Sequence, residues 1–248
     1  MNPGKVTLLG AGPGDLDLLT IKAAKALAAA DVLLIDDLAN PEIASLAPNA
    51  RAIYVGKRGG CKSTPQDFIQ RLARRYALQG RHVVRVKGGE ALLFGRAGEE
   101  IAYLRQKGIE VDLVNGISSG LAAAASLGMS LTHRDYAHGV TFVTAHRQGD
   151  REPDWQALAA TRTTLIIYMG MTRIERIASG LLSSLPADTP AAVVQAASSV
   201  DECRLLTTLG QLVHDAEREK LGSPAVILVG EAICQAKEWI SPDIALAA

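Results

Sequence analysis

Five short apolar runs, at residues 6–9, 32–35, 52–55, 82–86 and 110–114, are separated by segments whose apolar residues recur at helical spacing. A half-solvated strand would alternate polar and apolar residues. Continuous runs instead ask for a sheet covered on both faces. The segments 21–30, about 65–78 and about 98–107 supply the covering helices, and strand-helix-strand repeats of this length build a mainly parallel sheet. After Thr132-His133-Arg134-Asp135 the rhythm restarts, with strands at 140–144, 164–168, 191–195 and 225–229 and helices at 173–185 and 209–219. The fold expected is therefore α/β, in two domains spanning 1–135 and 136–248, with a ligand cleft where they meet. The polar stretch 146–154 reads as a loop.

Charge narrows the function. The 26 basic residues are balanced by 26 acidic ones, so the chain has no global field to attract nucleic acid. Residues 116–131 are weakly polar but rich in alanine, serine and glycine and too short for a bilayer; they read as a tightly packed buried helix, and no membrane association is expected. Residues 1–5 lead into a strand without a basic and apolar leader, which points to the cytoplasm. Cys61, Cys203 and Cys234 are isolated, and the five histidines form no metal motif. Neither a disulfide framework nor a metal site is expected.

At the end of the first run stands GAGPGDLDLLT, residues 10–20. Glycines at a strand end suggest a dinucleotide fingerprint, but that motif is G-x-G-x-x-G with the helix starting inside it. Here Gly10, Gly12 and Gly14 give G-x-G-x-G, Asp15 occupies the third glycine's slot, and Pro13 removes an amide donor. The helix starts late, with Thr20 as N-cap. Such a loop suits close backbone approach to a ligand without phosphate, or a bare glycine turn; Asp36, at the end of the second run, imitates a ribose-binding acid.

GAGPGDLDLLTIKA, VGKRGG at 55–60, VVRVKGGEALLFGRAGEE at 83–100, VNGISSGLAAAASLGMSLTHRD at 114–135, LIIYMG at 165–170 and GSPAVILVGE at 222–231 together resemble the tetrapyrrole methylases. The resemblance covers almost the whole chain. It is greatest to members that use S-adenosylmethionine to methylate two pyrrole carbons of uroporphyrinogen III, giving precorrin-2 and S-adenosylhomocysteine. Methylation of another precorrin, or binding of donor or tetrapyrrole without turnover, are the alternatives. A homodimer is implied by the same resemblance.

By position, the resemblance implies donor contacts at Pro13, Gly88, Gly89, Glu90, Leu93, Ser118, Ser119, Met169 and Ala197. It also makes Asp36 the proton acceptor and Lys57 the proton donor, with a helix N-cap as the plainer role for Asp36. A substrate rich in carboxylates asks for cations, and Arg58, Lys87, Arg96, Arg134 and Arg147 lie at or beside the motif ends. His133 and Asp135 could instead fix a hinge. Three departures from the family pattern fall on the donor loops: Glu90-Ala91 for Asp-Pro, Asn115-Gly116 for a Pro-Gly turn, and Ala197-Ser198 for Gly-Thr.

Overall fold

The structure, a computed structural model, describes residues 4–56, 64–146 and 152–239. It divides into two compact units, Met1–Ser119 and Gly120–Ala248. The first contains β1 (Lys5–Gly10), α1 (Ile21–Ala28), β2 (Val32–Ile35), β3 (Arg51–Tyr54), α2 (Gln66–Ala77), β4 (Val83–Lys87), α3 (Ala97–Gln106) and β5 (Glu110–Val114). Its sheet has the order β3-β2-β4-β1-β5, with every pair parallel. The pleat sends Val6 and Leu8 of β1 into a core with Ile69 and Ala73 of α2 and Leu104 of α3. Leu9, with Val84 and Val86 of β4, enters the opposite core against Ala23 and Leu27 of α1. Both faces are thus covered, which is why the strands read as unbroken apolar runs.

α1 starts where the sequence places it, with the Ala23 amide donating to Thr20 Oγ1 at 3.1 Å. Before it, residues 16–18 make one 3₁₀ turn capped by Asp15, whose Oδ1 accepts from the Asp17 amide at 2.9 Å. Asp15 therefore serves its own chain.

α4 (Ser119–Ser126) leads into the second unit, followed by β6 (Val140–Thr144), α5 (Trp155–Ala160), β7 (Thr164–Tyr168), α6 (Ile174–Leu182), β8 (Pro190–Gln195), β9 (Cys203–Thr208), α7 (Leu212–Arg218) and β10 (Ala225–Val229). The order here is β6-β7-β10-β8-β9. Only β6 and β7 run parallel; the other pairs are antiparallel. α5, α6 and α7 cover one face through Trp155, Ile177, Leu181, Leu212 and Ala216. α4 covers the other, with Ala122, Ala123, Ala124 and Leu127 against Ile166, Ala192, Val194 and Leu228.

Two expectations change. The alanine-rich helix was expected to close the first domain at residue 135, but its small side chains pack on the second sheet. Gly120 shows how closely: a Cβ there would lie 2.6 Å from Ile166 Cγ2, and its amide donates to Tyr168 Oη at 3.1 Å. β9 and α5 were not expected. β9 is an edge strand whose buried positions are only Leu205 and Thr207, and it joins β8 without a helix, so it must run antiparallel.

Packing of α4 on the second sheet is testable. Ala123→Leu, at a fully buried position, should destabilise the protein by about 1–3 kcal/mol through overpacking. Ala125→Leu, on the exposed side of the same helix, should change denaturant stability by less than about 0.5 kcal/mol.

Candidate active site

The loops that leave β1, β4 and β5 come together at the carboxyl end of the first sheet. Gly12 and Gly89 form an isolated antiparallel bridge, in which Gly12 N donates to Gly89 O at 3.2 Å and Gly89 N to Gly12 O at 2.6 Å. Both have positive φ, +76° and +65°, a conformation available to glycine without penalty. A Cβ on Gly10 would lie 2.6 Å from Gly116 N and 2.7 Å from Gly89 O. A Cβ on Gly116 would likewise overlap Gly89 O and the main chain of Gly10. Three glycine-bearing loops are therefore packed backbone against backbone. Gly88 is held in the same way by Leu38, whose Cβ and carbonyl oxygen would each be 2.7 Å from an added Cβ.

This packing consumes the amides that a phosphate cradle would need. The Ala11 amide goes to Lys87 O, those of Gly12 and Gly89 to each other, and that of Gly116 to Glu90 Oε2 at 2.9 Å. Pro13 has none. These four amides are therefore not available to line a pyrophosphate nest.

Glu90 has a defined role in this arrangement. Its Oε1 accepts from the Leu92 amide at 2.9 Å, and its Oε2 accepts from Asn115 Nδ2 at 3.3 Å as well as from Gly116 N. Two departures from the family pattern, Glu90 and Asn115, are thus in contact. Ser118 is buried, Ser119 opens α4, and Leu93 and Pro13 are half-buried. Pro13, Gly88, Gly89, Glu90, Ser118 and Ser119 belong to this one group of loops.

Met169 and Ala197 lie in the second unit. Met169 follows β7 with φ +55°, and its side chain is 46% exposed. Its exposure excludes a core-packing role. The next residue is tightly packed, since a Cβ on Gly170 would meet Ile177 Cδ1 at 2.8 Å and Ile227 Cδ1 at 2.9 Å. The chain turns inward at Gly170 and presents Met169 outward. Ala197 differs from expectation. It is 4% exposed and belongs to the core containing Val194 and Ile233, so its methyl faces the core and only its main chain could meet a ligand. Its neighbours Ala196 and Ser198 both have positive φ, and the Ser198 amide donates to Glu202 Oε2 at 2.6 Å.

Of the expected cations, Lys57, Arg58 and Arg147 lie outside the described residues, as does Cys61. Arg96 is exposed beside the donor loops and forms a two-pronged pair with Glu99, at 3.0 and 2.7 Å. This pairing holds the Glu99 carboxyl below the usual carboxylate range. Arg134 is exposed in the loop 132–138, which lines a concavity of about 610 Å³ together with His133, Asp135 and His138. Lys87 departs from expectation. It is 4% exposed, and its ammonium lies 3.5 Å from Glu100 Oε1 and 3.9 Å from Asp36 Oδ2, so interior carboxylates engage the charge expected to face substrate. Asp36 pairs with Arg85 Nη2 at 3.0 Å. Sequence reasoning passed over Arg85 and Glu100, whose only signal was a charge inside an apolar strand and a doubled acid in Glu99-Glu100. Among the described residues no cluster of His, Cys, Asp and Glu could hold a metal ion, and no helix is long and apolar enough to cross a membrane.

A family model described as tetrapyrrole (corrin/porphyrin) methylases matches residues 5–213. The chain is 50% identical over 246 residues to a uroporphyrinogen-III C-methyltransferase of Pseudomonas aeruginosa, with 99% of each chain covered. It is 48% identical over 227 residues to the protein of that name from Pseudomonas fluorescens, covering 91% of this chain and 92% of the other. The crystal structure of uroporphyrin-III C-methyl transferase from Thermus thermophilus complexed with S-adenyl homocysteine matches with a TM-score of 0.80 and 38% identity, over 93% of this chain and 99% of that one. The chain belongs to the tetrapyrrole methylases.

The contact between Glu90 and Asn115 makes a prediction. In a cycle of Glu90→Asp, Asn115→Pro and the double variant, the stability changes should be non-additive by about 0.5–1.5 kcal/mol, because the shorter acid and the lost amide remove one shared interaction. Denaturant unfolding of the four proteins measures it.

Proposed function

We propose that the chain transfers methyl groups from S-adenosylmethionine to two pyrrole carbons of uroporphyrinogen III, giving precorrin-2 by way of precorrin-1. The observation that carries this reading is the group of strand-end loops whose amides are spent on one another, in a chain half identical along its length to enzymes of that name. The donor supplies an electrophilic methyl group on a sulfonium. The protein's task is then to place a pyrrole carbon in line with it, since effective positioning lowers the barrier of such a displacement.

Pro13, Gly88, Gly89, Glu90, Leu93, Ser118 and Ser119 hold the donor, mainly by main-chain atoms. Met169 supplies an apolar surface, and Ala197 takes part through its backbone alone. Arg96 and Arg134 bind carboxylates of the tetrapyrrole, guanidinium groups being suited to paired oxygens, and Arg58 and Arg147 are assigned the same task. Methylation of a pyrrole carbon leaves the macrocycle with a proton to lose. Asp36, paired with Arg85 and partly open to solvent, accepts it as S-adenosylhomocysteine is formed, and Lys57 keeps the proton-donor role that the family resemblance implies. This reading replaces the N-cap role for Asp36, whose carboxylate is engaged by Arg85. The product supplies sirohaem or cobalamin synthesis. We further infer a cytoplasmic homodimer, which sedimentation of the purified protein tests.

Anaerobic incubation with labelled S-adenosylmethionine and enzymatically generated uroporphyrinogen III, followed by mass analysis, tests the function. Two added methyl groups are expected. Transfer only to a later precorrin, or donor binding with no transfer, would overturn the assignment in favour of another methylase or of a binding protein.

A further inference from the structure

β4 carries two cations into the interior. Arg85 and Lys87 lie on the strand face that also carries Val83, beneath α2 and α3, and are 2% and 4% exposed. Buried charges are costly unless paired, and two carboxylates answer them. Arg85 donates from Nη2 to Asp36 Oδ2 at 3.0 Å and from Nε to Glu100 Oε1 at 3.4 Å. Its Nη1 reaches the carbonyls of Leu34 and Val86, at 3.2 and 3.1 Å. Lys87 Nζ approaches the same two carboxylates, and Gln66 of α2 donates to Glu100 Oε1 at 2.6 Å. The other oxygen of Glu100, Oε2, is buried with no hydrogen-bond partner among the described residues. A carboxylate kept in the interior with one oxygen unsatisfied calls for an explanation.

We propose that Glu100 is a positioning residue for methyl transfer, holding Asp36 through Arg85 and Lys87 in the orientation from which it accepts the proton. This rests on the reading of Asp36 given above. Both cations approach Asp36 most closely at Oδ2, and the proposal assigns the proton to Oδ1. Glu100 is 2% exposed and acts through its neighbours rather than on a ligand. Without its charge, the two buried cations share Asp36 as counterion, and the acceptor is drawn into an interior pairing.

Lys87 reports this coupling. Burial, and after it the adjacent Arg85, push its ammonium below the ordinary lysine range, while Glu100 and Asp36 act to raise it. The charged groups facing it are Arg85 on its own strand, Glu100 from α3 and Asp36 at the end of β2; Gln66 from α2 is neutral. Removing the Glu100 charge lowers the Lys87 pKa further, so the ammonium is lost at lower pH.

The test is steady-state methyl transfer by full-length Glu100→Gln over a range of pH. We expect kcat to fall by about tenfold or more, the KM values of donor and tetrapyrrole to stay within about twofold, and the alkaline limb of kcat to move down by about one pH unit. Glu100→Asp keeps the charge and should recover most of the limb while staying below wild type in kcat. A purely structural Glu100 would lower the melting temperature with kcat and the limb unchanged, which overturns the proposal; so does a raised KM at unchanged kcat. If Glu100→Gln does not fold, Glu100→Asp decides by the same split, an unchanged kcat overturning the proposal. Asp36→Asn separates the two levels. Full activity in that variant removes the proton-acceptor reading and the proposal with it, whereas an inactive Asp36→Asn beside a fully active Glu100→Gln removes the proposal alone.

Discussion

The candidate site depends on a contact between main chains. Gly10, Gly89 and Gly116 approach so closely that a methyl group on Gly10 or Gly116 would overlap the backbone of the other loops. Each glycine ends or follows one of the three neighbouring strands β4, β1 and β5. The parallel sheet brings their carboxyl ends together, and the absence of side chains lets the loops interlock. The Gly12–Gly89 bridge and the Glu90 carboxylate then engage the amides of Gly12, Gly89 and Gly116. A closely packed surface with those amides already engaged results. That selects against pyrophosphate and leaves room for a ligand held by shape and main-chain contact.

A second constraint lies one layer below. The buried cations of β4, the buried Glu100 and the half-buried Asp36 form a cluster of ion pairs under the same strand ends. Apolar replacements of similar volume would often be as stable as such a group. Its retention beside the expected proton acceptor is better understood as orientation of Asp36 than as a contribution to folding. The main-chain contact shapes the loops after β1, β4 and β5, and on our proposal the charge cluster aims the acid.

Much of this was legible in the sequence. The first sheet was readable because covering both faces forces unbroken apolar strands, and Thr20 announced its helix by a cap that the structure retains. The loop could be separated from a dinucleotide fingerprint by Pro13 and Asp15. β9 was not readable, because an edge strand with two buried positions carries little apolar signal. Helix α4 was assigned to the wrong unit because an alanine-rich pattern says that a helix packs closely without saying on what. Lys87 was read as a substrate contact from its place at a motif end. Only three-dimensional neighbours could show that Glu100, thirteen residues further on, takes up its charge. Ala197 illustrates the same limit, since its direction depends on the left-handed residues on either side.

The central claim is that the interlocked loops after β1, β4 and β5 hold the methyl donor through main-chain groups. Backbone amide shifts of the labelled protein during titration with S-adenosylhomocysteine test it most directly. The amides of residues 88–90 and of Ser118 and Ser119 should move together along one saturable curve, and an equal concentration of NAD should leave them in place. Shifts confined to other strands, or movement of these amides by NAD and not by S-adenosylhomocysteine, would contradict the account.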